Sequence, residues 1–211
     1  MSSASVDAEA TRFDRFDKDF FDHFYRSPAR VRRTADLRRQ IALTVAITEH
    51  VLARPLRSVL DLGCGEGVLQ PPLRRLRPHL YYQGVDASAY VVQRYGRRRN
   101  IQSGRIDRPE TLVIEGLFDL VIANDVLHYL TVAELRRTLA GVRRWCGAVA
   151  YLPVFTQRDC ISGDLSALKL RSGAAFRQEI ERIGLMPIGL NHYVIPEWTN
   201  VLADMELNWL R

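Results

Sequence analysis

The string VLDLGCGEG, Val59 to Gly67, constrains this chain more than any other part of it. An apolar run of strand character leads into Gly63, Gly65 and Gly67, which then open a helix. Glycine lets the backbone turn tightly and lets a ligand approach with no Cβ in the way. The helix start presents free amides and partial positive charge to an anionic group. A second apolar run, LYYQGVD (Leu80 to Asp86), ends in an acid about 20 residues later, the spacing of a ribose-hydroxyl acceptor in a βαβ nucleotide site.

Two ligands suit that geometry. A dinucleotide site reads G-x-G-x-x-G. Here the pattern is G-x-G-x-G, and Val68 stands where the dinucleotide pattern wants glycine. Asp61, close to the glycines, suits a ligand that carries an ammonium group and repels a pyrophosphate. S-adenosylmethionine has an amino group, a carboxylate and a ribose, and no phosphate. A glycine turn without a ligand is the third reading.

The chain has 211 residues, enough for one compact domain with a sizeable core. No apolar run approaches the roughly 20 residues that span a bilayer. The start, MSSASVDAEATRFDRFDKDFF, lacks the basic and apolar regions of a secretory signal. Cys64, Cys146 and Cys160 are far apart and show no C-x-x-C spacing, so neither a disulfide framework nor a metal site is expected, and a reducing cytoplasm is the natural compartment. The formal charge is +6, and all the basic residues except Lys18 and Lys169 are arginine. Pairs such as Arg38-Arg39, Arg74-Arg75, Arg136-Arg137 and Arg143-Arg144 read as solvated helix faces, and Arg97 to Arg99 as a helix end where cations favour the dipole. A basic rim that draws in an acidic substrate is the other reading of this charge.

Three regions follow one another in what reads as a single domain over residues 1–211. Residues 1–55 are expected to form a helical cap. In it Phe13, Phe16, Phe20 and Phe24 share a helix face, and a second helix runs from Ala35 to Leu52. Residues 56–155 alternate strands (Ser58 to Leu62, Leu80 to Asp86, Phe118 to Asn124, Ala148 to Val154) with helices (Ser88 to Arg99, Val132 to Trp145), the pattern of βαβ units on a parallel sheet. Thr131 to Glu134 reads as a capping box. Residues 156–211 are expected to hold a substrate loop, a helix from Ala174 to Ile183 stopped by Gly184, and a closing hairpin. Its strands are MPIGLNHYVI and TNVLADMEL, around a turn at Pro196 to Trp198.

VLDLGCGEG, then GVDAS (Gly84 to Ser88), then FDLVIANDVLHYL (Phe118 to Leu130) resemble the successive cofactor motifs of class I S-adenosylmethionine-dependent methyltransferases of the small-molecule type. The resemblance covers residues 56–155. It implies a Rossmann-like α/β fold: a seven-stranded, mostly parallel sheet with an antiparallel last strand, helices on both faces and the N-terminal helical cap. It also implies roles. Gly63, Cys64 and Gly65 line the methionine part of the cofactor, Asp61 orients its amino group, and Asp86 holds the ribose hydroxyls. Ala87 and Ser88 border the adenine, Asp107 meets the adenine amino group with Glu115 as the alternative, and Asn124 faces the sulfonium and the acceptor. Pro71 and Pro72 depart from the pattern, since they fall where the first helix should already be regular; a start at Pro71 accommodates them.

Methyl transfer from a sulfonium is an in-line displacement, so such an enzyme aligns the reactants and excludes water. An oxygen or nitrogen acceptor also has a proton to lose. His128 is the candidate base, its pKa range being suitable, with packing as the competing role. Tyr129 and Tyr151 are expected in the pocket wall and His192 in a structural position. The aromatic face of the first helix, with His23 and Tyr25 beside it, reads as buried packing or as a lid over the cofactor, and Tyr25 is a candidate substrate contact. The segment Phe155 to Arg171 belongs to the acceptor side. Asn124-Asp125-Val126-Leu127 is not the N-P-P-Y-like motif of enzymes that methylate base or glutamine amino groups. No Pro-Cys pair suits cytosine C5 chemistry, and no carboxylate cluster suggests magnesium. By elimination a small-molecule acceptor is expected, in a monomer or homodimer with neither nucleic acid nor membrane as partner. An RNA or protein methyltransferase, a non-catalytic S-adenosylmethionine-binding partner protein and a nicotinamide-dependent oxidoreductase are the rivals.

Overall fold

A computed structural model describes residues 16–26, 34–159 and 167–202. Among them seven strands form one sheet in the order β3-β2-β1-β4-β5-β7-β6. These are β1 (Ser58–Leu62), β2 (Tyr81–Asp86), β3 (Ile101–Ser103), β4 (Phe118–Ile122), β5 (Cys146–Tyr151), β6 (Met186–Gly189) and β7 (His192–Val194). The pairs β1–β2, β1–β4, β2–β3 and β4–β5 are parallel, while β7 runs antiparallel between β5 and β6. The chain order reverses between β1 and β4, and ligands of open α/β sheets bind at the carboxyl ends of the strands flanking such a reversal.

Alternation along the strands sets the layers. Leu60 and Leu62 of β1, Val121 of β4 and Ala150 of β5 face one side of the sheet. Val59, Leu120, Ile122, Val149 and Tyr151 face the other. Both faces are apolar because both are covered, as parallel sheets require. The first is covered by α5 (Val132–Trp145) through Leu135, Leu139 and Val142, and by α6 (Gly173–Arg182) through Phe176 and Ile180, at steps of three and four. The second is covered by α2 (Thr34–Leu52) through Ile41, Val45 and Leu52, and by α3 (Gln70–Leu76) through Leu73. The helix α4 (Ala89–Arg99) packs Val91 on a smaller cluster with Cys64, Ile101 and Phe21. Phe21 comes from α1 (Lys18–Phe21), which continues as a π-helical turn, Asp22–Arg26. Phe13 lies outside the described residues, as do the side chains of Phe24 and Tyr25.

The expected elements of the core appear within a few residues of their places, and α5 spans the expected residues. The closing hairpin is the correction. It lies wholly inside the first of the two expected strands: β6 and β7 turn about Leu190 and Asn191, both at positive φ (51° and 62°), as a two-residue hairpin of the I′ kind requires. Leucine is a poor signal for such a position, so the sequence reads as one continuous run. Pro196–Trp198 form a 3₁₀ turn, and residues 199–202 are helical where the second strand was expected. The remainder of that run, 203–207, lies outside the described residues.

Candidate cofactor and acceptor site

β1 delivers the glycine loop to the crevice end of the sheet. The amides of Gly63 and Cys64 donate to the carbonyl of Val85 at 2.8 and 3.1 Å, which ties the loop to the end of β2. Gly63 and Gly65 have φ of +67° and +52°, where a side chain is strained. A Cβ on Gly63 would also stand 2.6 Å from Val126, so the loop after β4 packs directly on this turn. The helix does not open at the glycines. Residues 65–69 form turns, and α3 begins at Gln70 with Pro71 and Pro72 in its first turn, where a missing amide costs nothing.

Two carboxylates flank this loop. Asp61 is buried beneath it, 1% exposed, and accepts a hydrogen bond from the Tyr82 hydroxyl at 2.7 Å. Burial pushes its carboxyl up to about 7, Asp86 adding to the rise and the Tyr82 bond opposing it. Asp86, at the end of β2, accepts from the amides of Gly65 (2.7 Å) and Ser88 (2.9 Å). Burial raises it too, against those amide bonds. Among the described residues neither acid pairs with a cationic side chain. The Cys64 thiol is buried and pushed well up by burial and by both acids, so it stays protonated and acts as a small apolar filler. Ala87 follows Asp86, and Ser88 caps α4 by accepting from the Val91 amide at 3.3 Å.

Asp107 lies in the loop after β3, 1% exposed. Burial raises its carboxyl, but the Arg105 fork (3.1 and 2.8 Å) and Arg137 (3.6 Å) bring it below its ordinary value. Its two oxygens are thus engaged within the protein. Glu115 is exposed in the loop before β4.

At the carboxyl ends of β4 and β5, Asn124 and Tyr151 meet a residue the sequence did not single out. Gln40 of α2 donates through Nε2 to Asn124 Oδ1 at 3.3 Å and to the Tyr151 hydroxyl. Asn124 in turn donates to Asp125 at 3.2 Å. On a helix whose inward face is apolar, a polar residue such as Gln40 carries no local signal of a partner more than eighty residues away; Tyr82 was hidden in the same way inside an apolar strand. His192 is buried behind Tyr151, its ring 4.5 Å from the tyrosine ring and its Nε2 3.1 Å from Thr44 Oγ1; burial lowers its pKa and keeps it neutral.

His128 is fully buried. Its Nδ1 accepts from the Phe155 amide at 3.2 Å, which places the ring proton of the neutral form on Nε2. Its carbonyl takes the Lys169 amide at 2.7 Å, so this residue holds both ends of the 155–171 segment. Tyr129 packs its ring 4.6 Å from His128 and 6.0 Å from Phe16. Tyr25 belongs to the π-helical turn, and its side chain lies outside the described residues.

The arrangement fits an amino-acid-bearing sulfonium nucleoside. Asp61 buried and Asp86 half-buried, without a cationic partner among the described residues, are stabilised by a positively charged ligand and repel a pyrophosphate. Residues 60–151 match the family model described as a methyltransferase domain. A ubiquinone biosynthesis O-methyltransferase from Methylocella silvestris is 30% identical over 163 residues, 69% of this chain and 60% of the relative. A malonyl-[acyl-carrier protein] O-methyltransferase from Legionella pneumophila is 31% identical over 101 residues, 46% of this chain and 36% of the relative. The chain therefore spans less than two thirds of either. The structure of magnesium protoporphyrin IX methyltransferase from Synechocystis PCC 6803 with bound SAH superposes with a TM-score of 0.64 at 17% identity, covering 89% of this chain and 99% of that one, a likeness of fold. Sheet order, glycine loop and family match agree: residues 60–151 are similar to a methyltransferase domain, set in a sheet whose fold is that of a solved methyltransferase.

Proposed function

We propose that the protein is an enzyme that methylates an oxygen or nitrogen of a small molecule, a biosynthetic intermediate, from S-adenosylmethionine. The observation that carries this reading is the glycine loop flanked by Asp61 and Asp86. Bound there, the cofactor supplies an electrophilic methyl group. Asp86 takes the ribose hydroxyls on the lone pairs its two amide donors leave over. Asp61 faces the amino group, directly or through water, while Gly63, Cys64 and Gly65 line the methionine part. Ala87 and Ser88 border the adenine. Asp107 reaches the adenine amino group only alongside Arg105, and so acts chiefly by fixing the loop that carries it.

Asn124, Tyr151 and Tyr129 stand on the acceptor side in this reading, and Tyr25 is a further candidate substrate contact. A base role for His128 requires its bond to the Phe155 amide to part; with that bond intact the imidazole positions the 155–171 segment. The two relatives named above carry O-methyltransferase names, which supports an oxygen acceptor. The reading places residues 1–211 in one domain, monomeric or homodimeric and cytoplasmic. Among the described residues no helix is long and apolar enough to cross a membrane.

Calorimetry with S-adenosylmethionine and with NAD(H) tests the cofactor. Saturable heat is expected from the first alone, and Asp86→Ala should weaken it by at least about tenfold, the worth of a charged hydrogen-bond acceptor. Binding of NAD(H) instead, or unchanged affinity in the variant, overturns the assignment.

A further inference from the structure

Residues 16–26 touch the mouth of the crevice on several sides. The Ser88 hydroxyl donates to the Phe16 carbonyl. The Phe16 ring meets Tyr129, after β4, edge-on at 6.0 Å. Phe21 closes on the glycine loop: its ring is 3.3 Å from where a Gly65 Cβ would stand, and it stacks on Tyr90 at 5.8 Å. At the end of the π-helical turn Arg26 pairs with Glu66, inside the glycine loop itself, and bonds the Tyr95 hydroxyl at 3.0 Å. One short segment therefore bridges the loops that follow β1, β2 and β4. Its contacts include Gly65 and Ser88, the same two residues whose amides donate to the Asp86 oxygens.

We infer that residues 16–26 are a cover over the cofactor crevice, latched by the Arg26–Glu66 ion pair, and that cofactor exchange waits on the parting of that pair. The inference rests on the methyltransferase reading of the crevice. Glu66 suits the task because its own main-chain oxygen is fixed by Arg99, so the latch pulls on an anchored point. The Glu66 side chain is 10% exposed and that of Arg26 38%, which leaves the pair open to screening by salt from one side. Asp22 holds the same guanidinium from within the turn and keeps it aimed.

Surface plasmon resonance of S-adenosylhomocysteine over the immobilised full-length chain tests this. Arg26→Ala and Glu66→Gln should each raise both the association and the dissociation rate about fivefold, the effect of losing one partly exposed ion pair, with the ratio of the rates moving less. The double variant should add little to either, since both remove one interaction. Added salt should speed dissociation from the wild type and leave Arg26→Ala unchanged. Arg26 lies at the surface, so its variant should melt with the wild type, which separates a rate effect from misfolding. Rates unchanged in Arg26→Ala overturn the latch, and so does a change confined to Glu66→Gln, which would belong to the glycine loop alone. If the wild type takes up no S-adenosylhomocysteine at all, the cofactor reading itself falls and the latch with it.

Discussion

Asp61 holds its proton into the neutral range because a carboxylate beneath the glycine loop has no water to solvate it. Unfolded, the same group titrates near about 3.9. Between that value and about 7 the folded chain is protonated here while the unfolded chain is not, so each step up in pH across this window favours unfolding. The stability it contributes is full below the unfolded value and is lost as pH rises through about 7. A cofactor ammonium reverses the local balance, since it favours the charged form. Affinity for S-adenosylhomocysteine should therefore rise with pH from about 6 to 8, with up to about one proton released on binding. Calorimetry in buffers of different ionisation enthalpy measures this, and Asp61→Asn should abolish it; a release that survives in the variant assigns the proton elsewhere. The place of Asp61 and Asp86 beside the glycine loop was legible because each sits at the end of an apolar run beside glycine or a helix cap. Gln40 and Tyr82 were not, because their roles depend on which strand or helix lies across from them.

Local signals also placed the elements of the core. The box that starts α5 is complete: the Thr131 hydroxyl accepts from the Glu134 amide at 3.3 Å, and the Glu134 carboxylate accepts from the Thr131 amide at 2.6 Å. Thr131→Ala should lower stability by about 1 kcal/mol, read as a shifted urea midpoint with an unchanged slope. A loss well beyond that would mean the residue serves the neighbouring loop, which also carries His128 and Tyr129, more than the helix. Ser88 and Asn100 bound α4 by the same logic, the second in the left-handed conformation. The last hairpin escaped because its turn is Leu190-Asn191 and β6 carries Pro187 on an exposed edge, so strand alternation is lost and neither central turn residue is glycine. β3 was hard to see for a simpler reason: three residues are too few to show a period.

At the scale of the whole molecule the N-terminal cap is tied to the sheet by charge as well as by burial. Arg54, just beyond α2, grips Asp119 at the start of β4 with two bonds of 2.9 and 2.7 Å, and the Arg57 amide adds a third at 2.8 Å. Burial raises the Asp119 carboxyl, but these partners bring it below its ordinary value. Stability from this tie is present above the unfolded carboxylate value and lost as pH falls through the lower folded one. Arg54→Ala should cost about 1 kcal/mol near neutrality, discounted for the exposure of the guanidinium. The difference from wild type should vanish in acid, and urea titrations at the two pH values check it; a gap that persists in acid means that packing rather than charge is lost.

The sequence by itself determined the βαβ core, the glycine loop and the two acids that flank it. Those follow from the φ that glycine allows, from apolar runs and from caps, all written within a few residues. Only the tertiary structure decided that Gln40 meets Asn124 and Tyr151, that Arg137 reaches Asp107, and that Arg26 closes on Glu66. Those partners are brought together by the order of strands and by the faces each helix buries, which are settled by the packing of the whole core and by no neighbouring residue.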